Sequence, residues 1–182
     1  QARFAHPPLW QPELVRERKF LERAPAQAAV LLALVMRDEP TVLLTQRTAH
    51  MSTHSGQIAF PGGKVDLTDT DATHTALREA EEEIGLHKDE VEVIGVLPIY
   101  TTGSAYIVTP VVGLVNASAS IEMNTNEVAD VFEVPLSFLM DPSNHRHHAF
   151  DWSGTTRHWL SMPYQDVTQE RFIWGATAGM LR

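Results

Sequence analysis

The 182-residue chain contains no cysteine. That absence excludes disulfides, thiolate nucleophiles and Cys-ligated zinc, and it fits a reducing compartment. Positive charge is also scarce: 14 Lys and Arg stand against 23 Asp and Glu, a formal net charge of −9. The mean field of such a chain repels nucleic acid and anionic membrane, so neither is expected as a partner, and a polyanionic ligand needs locally gathered cations. Long hydrophobic runs are missing. The longest, Ala28 to Met36, falls well below the roughly 18 residues of a membrane span. The start lacks the pattern of a signal peptide, and a chain beginning at Gln1 is read as trimmed. A soluble, cytoplasmic protein is expected. No repeat, low-complexity tract or Gly/Ser linker interrupts the sequence, so residues 1–182 are expected to form a single domain, with an N-terminal helical extension over 1–25. Two catalytic signatures are absent as well. There is no Gly-x-Ser-x-Gly nucleophile elbow, and FPGG (60–63) is not followed by the Gly-Lys-Ser/Thr of a phosphate loop.

What is present mixes strand and helix patterns. Residues Pro12 to Arg23 read as a short helix with a charged face. AVLLALVM (29–36) and TVLLTQ (41–46) flank the turn-like RDEP and predict a strand pair, with further strands at VEVIGVL (91–97), YIVTPVVGLV (106–115) and DVFEV (130–134). A helix is expected from about Asp71 to Ile84, a second from Pro135, and a last one from Thr168 or Trp174 to the end. NHRHH (144–148) reads as a polar surface loop. Strict strand–helix alternation is lacking, so an α/β architecture with a mixed sheet and helices on both faces is expected.

LREAEEEIGL (77–86) concentrates four glutamates in five positions. On a helix, Thr73, Leu77, Ala80 and Ile84 make a narrow apolar stripe, while Glu79, Glu82 and Glu83 at i, i+3 and i+4 share an arc of about 100°. Arg78 lies one turn before Glu82, where it can pair with it, and Gly85 can close the helix in the left-handed conformation. Repulsion one turn apart costs only a few tenths of a kcal/mol per pair, so clustering alone does not establish function. The donor set is more informative. Carboxylates without imidazole or thiol suit a hard cation such as Mg²⁺, which commonly bridges to substrate phosphates.

GGKVDLTDTDATHTALREAEEEIGL (62–86) resembles the Nudix box, matching its core at Arg78, Glu79, Ala80, Glu82, Glu83, Gly85 and Leu86. Upstream, Asp69 takes the place of a glutamate and one extra residue precedes Arg78; Asp69 is read as a helix-initiating turn residue. LLTQRTAHMSTHSGQIAFPGG (43–63) and RFIWGATAGML (171–181) resemble the coenzyme A diphosphatase branch of Nudix hydrolases, except that Thr48 stands for the usual Ser or Ala and Ser52 for an arginine.

The resemblance implies a Nudix-type α/β/α sandwich in which 62–86 forms a loop and helix. It implies hydrolysis of the diphosphate of coenzyme A to 3′,5′-ADP and 4′-phosphopantetheine, with Glu79, Glu82 and Glu83 holding Mg²⁺ or Mn²⁺ and Arg78 orienting them. A glutamate ahead of a late strand serves as base or extra ligand in many relatives; Glu127 matches that place best, Glu122 next, and a box glutamate is the third option. Substrate contacts are expected from Arg47, His54, Gln57, Gly62 and Gly63, the glycines allowing close backbone approach. Trp159, Tyr164 and Trp174 either stack on adenine or belong to the core. Two alternatives stay open: a Nudix diphosphatase of ADP-ribose, NADH or a similar nucleotide, and a Nudix fold that binds without catalysis. A Nudix-fold isoprenoid isomerase is set aside by the missing cysteine, and an RNA-decapping enzyme by the missing basic path. The sequence carries no reading of oligomeric state.

Overall fold

The computed structural model describes residues 24–49, 55–152 and 154–182. The expected helix at Pro12–Arg23, together with Ser52 and His54, lies outside the described residues. The elements run β1 (Ala26–Met36), β2 (Thr41–Arg47), β3 (Ile58–Ala59), β4 (Gly62–Lys64), α1 (Ala72–Ile84), β5 (Val91–Val96), β6 (Tyr100–Thr101), β7 (Tyr106–Asn116), β8 (Val128–Pro135), α2 (Leu136–Met140), β9 (Arg146–Trp152), β10 (Thr155–Gln165), β11 (Glu170–Trp174) and α3 (Ala176–Leu181).

The apolar run at 28–36 forms the central strand, β1. It is buried on both faces, as a near-continuous hydrophobic strand must be. It pairs in parallel with β7 from Ala26↔Tyr106 to Met36↔Asn116, whereas its contacts with β2 and β4 and all other pairings are antiparallel. The main sheet follows the order β3-β2-β1-β7-β5, with β8 on β2, β4 on β1 and β6 on β7. One face packs Leu31, Ala33 and Val111 against Ala76, Ala80 and Ile84 of α1. The opposite face packs Leu32, Val42 and Leu44 against Leu139, Leu160, Met162, Ile173 and Leu181, so a three-stranded sheet β11-β10-β9 and two short helices form the second covering layer. The expected α/β class with a mixed sheet and helices on both faces is what the chain adopts.

Three local expectations need correction. NHRHH is not a loop throughout: from Arg146 it enters β9, where His148 stacks on its cross-strand partner Trp159 at 3.9 Å and shares a 2.8 Å hydrogen bond with the Ser161 hydroxyl. Pairing with a distant strand overrides the local polarity. Thr168 does not begin a helix; the Asp166 carboxylate accepts the Thr168 and Gln169 N–H groups, closing a turn into β11. The last helix starts after Trp174 instead. The buried stripe of α1 is also rotated from the expected one. Thr75 and Ala76 are fully buried while Thr73 and Leu77 are half-buried, because the helix leans its Ala76, Ala80 and Ile84 side on the sheet. Of the three aromatics, Tyr164 packs edge-on against Phe138, and Trp159 meets Trp174 on the outer side of the small sheet.

β4 lies so close to β1 that a Cβ at Gly62 would come within 2.4 Å of the Ala29 carbonyl oxygen and 2.6 Å of the Val30 Cα. Neither atom can yield without moving the sheet. Gly62→Ala is expected to lower stability by about 1–3 kcal/mol through overpacking. Gly154→Ala, at φ +77 with nothing within 4 Å of the new carbon, should cost only left-handed strain, about 1 kcal/mol. Denaturant melts that rank the two in the opposite order would contradict the close β1–β4 approach.

Candidate active site

Asp71 caps α1 by accepting the His74 N–H at 2.8 Å, and Gly85, at φ 65, ends it by donating to the Glu81 carbonyl. Between these caps the helix lies over β1 and β4, and its acidic residues take different environments. Glu83 is 4% exposed on the packed side rather than on the solvent arc. One of its oxygens accepts the Gly62 N–H at 3.2 Å and the other faces the Arg47 guanidinium at 3.4 Å. Glu79 is half-buried, and Gly63 passes so near that a Cβ there would sit 2.5 Å from the Glu79 carboxyl carbon and both oxygens. Close approach to the β1 backbone therefore requires glycine at 62, whereas at 63 an added Cβ would meet only the movable end of the Glu79 side chain. Glu82 remains mostly in solvent.

Arg78 holds this arrangement together. Its guanidinium donates to Asp69 through Nε at 3.0 Å and Nη2 at 2.9 Å, to the Lys64 carbonyl at 3.1 Å, and to Glu82 at 3.0 Å, and it stands 3.0 Å from Glu79. The expected i,i+4 pair with Glu82 is present. Asp69 is the unexpected member. The helix-initiating role belongs to Asp71, while the Asp69 carboxylate is fully buried and also accepts the Thr75 hydroxyl at 2.9 Å and the Asp66 N–H at 2.8 Å. Hydrogen bonds from Arg78 hold Asp69 well below the usual carboxylate range, and Asp69 in turn raises Arg78. A bidentate pair of this kind fixes the orientation of the guanidinium and of whatever it touches.

Burial dominates the remaining electrostatics. Desolvation pushes Glu83 up to about 7, against the opposing Gly62 N–H and Arg47, with Glu79 and Glu127 adding like charge. Glu79 is raised for the same first reason, with Arg78 opposing and Glu82 and Glu127 contributing. Glu127 is thus brought near both. It sits in the turn before β8, where its carbonyl accepts the Thr48 N–H at 2.9 Å and its carboxylate lies 3.5 Å from the Asn124 amide. Glu122 lies beyond the C-terminal cap of α1, its N–H bonded to the Ile84 carbonyl. The Gln57 carbonyl accepts the Arg47 N–H at 3.0 Å, which fastens the end of β2.

Among the described residues, no three carboxylate or imidazole groups are gathered at metal-holding distances; Arg78 stands between Glu79, Glu82 and Asp69. The donor chemistry nevertheless fits a hard dication. All ligand candidates are oxygens, and two, the buried Glu83 and the half-buried Glu79, are carboxylates whose desolvation a nearby cation would relieve. The structure brings Glu79 and Glu82 to Arg78 and Glu127 near Glu79 and Glu83, whereas the pairing of Asp69 with Arg78 was not expected from the sequence. Its only sequence signal was the acidic position in the box, displaced by one residue.

The Glu83 shift has a definite sign. A carboxyl raised from 4.5 to about 7 binds more protons folded than unfolded, so its contribution destabilises the fold progressively as pH rises through that window. Glu83→Gln removes the charge while keeping an acceptor for Gly62. With chelator present, the variant is expected to melt higher than the parent at pH 8 and level with it at pH 4. Calorimetry showing the same gap at both pH values would contradict a buried, charge-penalised Glu83.

The NUDIX domain family model matches residues 25–153. The uncharacterized Nudix hydrolase NudL of Escherichia coli K12 is 45% identical over 159 residues, spanning 86% of this chain and 79% of that protein. NudL of Enterobacter sp. strain 638 matches to the same extent. Among solved structures, an Ap4A hydrolase binary complex from C. elegans aligns with a TM-score of 0.51 at 22% identity, covering 62% of this chain and 81% of that one. The MutT protein of Methanosarcina mazei Go1 aligns at 0.51 and 22%, covering 66% and 83%. These two show the shared fold, and the family match with the NudL relatives goes further: the chain belongs to the Nudix hydrolase family.

Proposed function

We infer that the protein is a metal-dependent diphosphatase acting on coenzyme A or its derivatives, releasing 3′,5′-ADP and 4′-phosphopantetheine. Nudix hydrolases generally use divalent metals such as Mg²⁺ and act on small nucleotide derivatives. The observation that carries the reading is the buried Glu83 and half-buried Glu79 beside the glycine backbone of β4, with Glu82 and Arg78 adjoining. The preference for coenzyme A over other diphosphates rests on the 43–63 and 171–181 motifs. In this reading residues 1–182 act as one Nudix unit.

Glu79, Glu82 and Glu83 would hold Mg²⁺ or Mn²⁺, which supplies charge neutralisation at the diphosphate and acidifies a bound water. The chain's own residues do the rest. Asp69 locks Arg78, and Arg78 keeps Glu79 and Glu82 from drifting apart. Glu127, close to both buried glutamates, accepts the proton of the attacking water; a box glutamate is the alternative base. Arg47, which meets Glu83, and Gln57, whose carbonyl holds the end of β2, serve the substrate phosphates together with His54, which its sequence motif alone nominates, and Arg47 exchanges part of its contact with Glu83 for phosphate oxygens. Gly63 lets the chain pass close beside Glu79 and Gly62 gives its N–H to Glu83, so the β4 backbone serves the substrate next to both carboxylates.

The test is hydrolysis of coenzyme A, ADP-ribose, NADH and diadenosine polyphosphates with Mg²⁺ or Mn²⁺. Coenzyme A is expected to give the highest kcat/KM, and a tenfold preference for ADP-ribose would overturn the branch assignment. Glu82→Gln, which leaves the buried part of the helix untouched, should lower kcat/KM by about 100-fold. Undiminished turnover in that variant would remove Glu82 from the metal set.

A further inference from the structure

β2 and β8 pair regularly from Thr41↔Pro135 to Gln46↔Asp130, and then Arg47 pairs with Val128, leaving Ala129 as an extra residue. The consequence is visible in the two cores. Phe132 and Val134 pack under the small sheet, and strict alternation would send Val128 there too; instead Val128 packs on the α1 side. A bulge exchanges the faces only on the strand that carries the extra residue, so Val128 turns to the side that its partner Arg47 already faces. Beyond it lie Thr48, whose N–H and hydroxyl bond the Glu127 and Asn126 carbonyls, and Glu127 itself. Arg47 meets Glu83 on the α1 face through the regular alternation of β2, and Glu127, tied to Thr48 next to it, lies near the same carboxylate.

The last regular pair before this bulge, Gln46 and Asp130, is gripped from the other face. Arg171 of β11 is 5% exposed. Its Nη2 lies 2.7 Å from Asp130, its Nη1 donates to the Gln46 side-chain oxygen at 3.3 Å, its Nε donates to Asp166, and its guanidinium carbon sits 4.1 Å over the Phe132 ring. A guanidinium buried this deeply, forked between two strands and an acidic turn, fixes the spacing of the groups it joins.

We propose that Arg171 is a positioning residue that pins the β2–β8 bulge and so aims Arg47 and Glu127 at Glu83 from across the sheet. The catalytic consequence rests on the function inferred above; the pinning does not. Two measurements keep them apart. The first is hydrogen exchange of the Thr48 amide, which bonds Glu127 just past the bulge, with the Leu31 amide of β1 as reference. Arg171→Met should reduce Thr48 protection at least tenfold with Leu31 unchanged, Arg171→Lys should restore part of it, and Asp166→Asn should lower the melting temperature without touching Thr48 selectively. The second is kinetics on the best substrate of the panel. Arg171→Met should lower kcat by about 10- to 100-fold with KM within threefold, whereas Asp166→Asn should keep kcat. If Arg171→Met does not fold, Asp130→Asn reports on the same amide. Thr48 protection equal to the parent's in the folded variant, or a kcat loss matching only the unfolded fraction, would overturn the proposal. Selective loss at Thr48 in a protein whose parent hydrolyses none of the panel would instead overturn the functional reading and leave the pinning intact.

Discussion

The constraint on which the site depends is the burial of acid. The carboxylates of Glu83 and Asp69 are each shielded from water, and neither could be tolerated without donors, since an uncompensated buried carboxylate costs several kcal/mol. The chain meets the two cases differently. Asp69 receives a full set of donors, including two from Arg78, and is comfortable as an anion. Glu83 receives one backbone N–H and a longer contact from Arg47, and remains costly as an anion. A satisfied carboxylate anchors structure, and an unsatisfied one has affinity left to offer a cation. The turn before the helix thus supplies an anchored acid, and the helix itself presents the costlier one.

Much of this was legible in the sequence because it is local. The helix over 71–84 follows from its terminal glycine and an i,i+4 pair, although its cap was assigned to Asp69 rather than Asp71, and the central strands follow from their apolar composition. What was not legible depended on partners far along the chain. β9 is polar and rich in histidine, and only its pairing with β10 across Trp159 makes it a strand. The rotation of α1 that buries Glu83 depends on which of its faces meets β1 and β4, a choice its own periodicity leaves open to within one residue. Asp69 looked like a turn residue because nothing in the chain order announces that Arg78 reaches back nine positions to claim it.

The two halves of the protein also divide their tasks. The α1 side of the main sheet gathers the charged groups, while the other side is dominated by apolar packing except at Arg171. Residues matched by the family model end at 153, yet β10, β11 and α3 beyond that point supply Leu160, Met162, Ile173 and Leu181 to the core. That face of the sheet would otherwise be left apolar and open, so the C-terminal stretch is integral to the packed body rather than an appendage.

The parallel pairing of β1 with β7, single among the described residues, sets an order of events during synthesis. β1 can make its longest ladder only when β7 exists, and the two strands are separated by the entire stretch that contains α1. Parallel partners cannot meet through a tight turn, so this contact closes a long loop and tends to be slow. Until Asn116 has left the ribosome, one of the most apolar segments of the chain has no lasting neighbour on that edge. The nascent polypeptide therefore carries its aggregation hazard early and resolves it late.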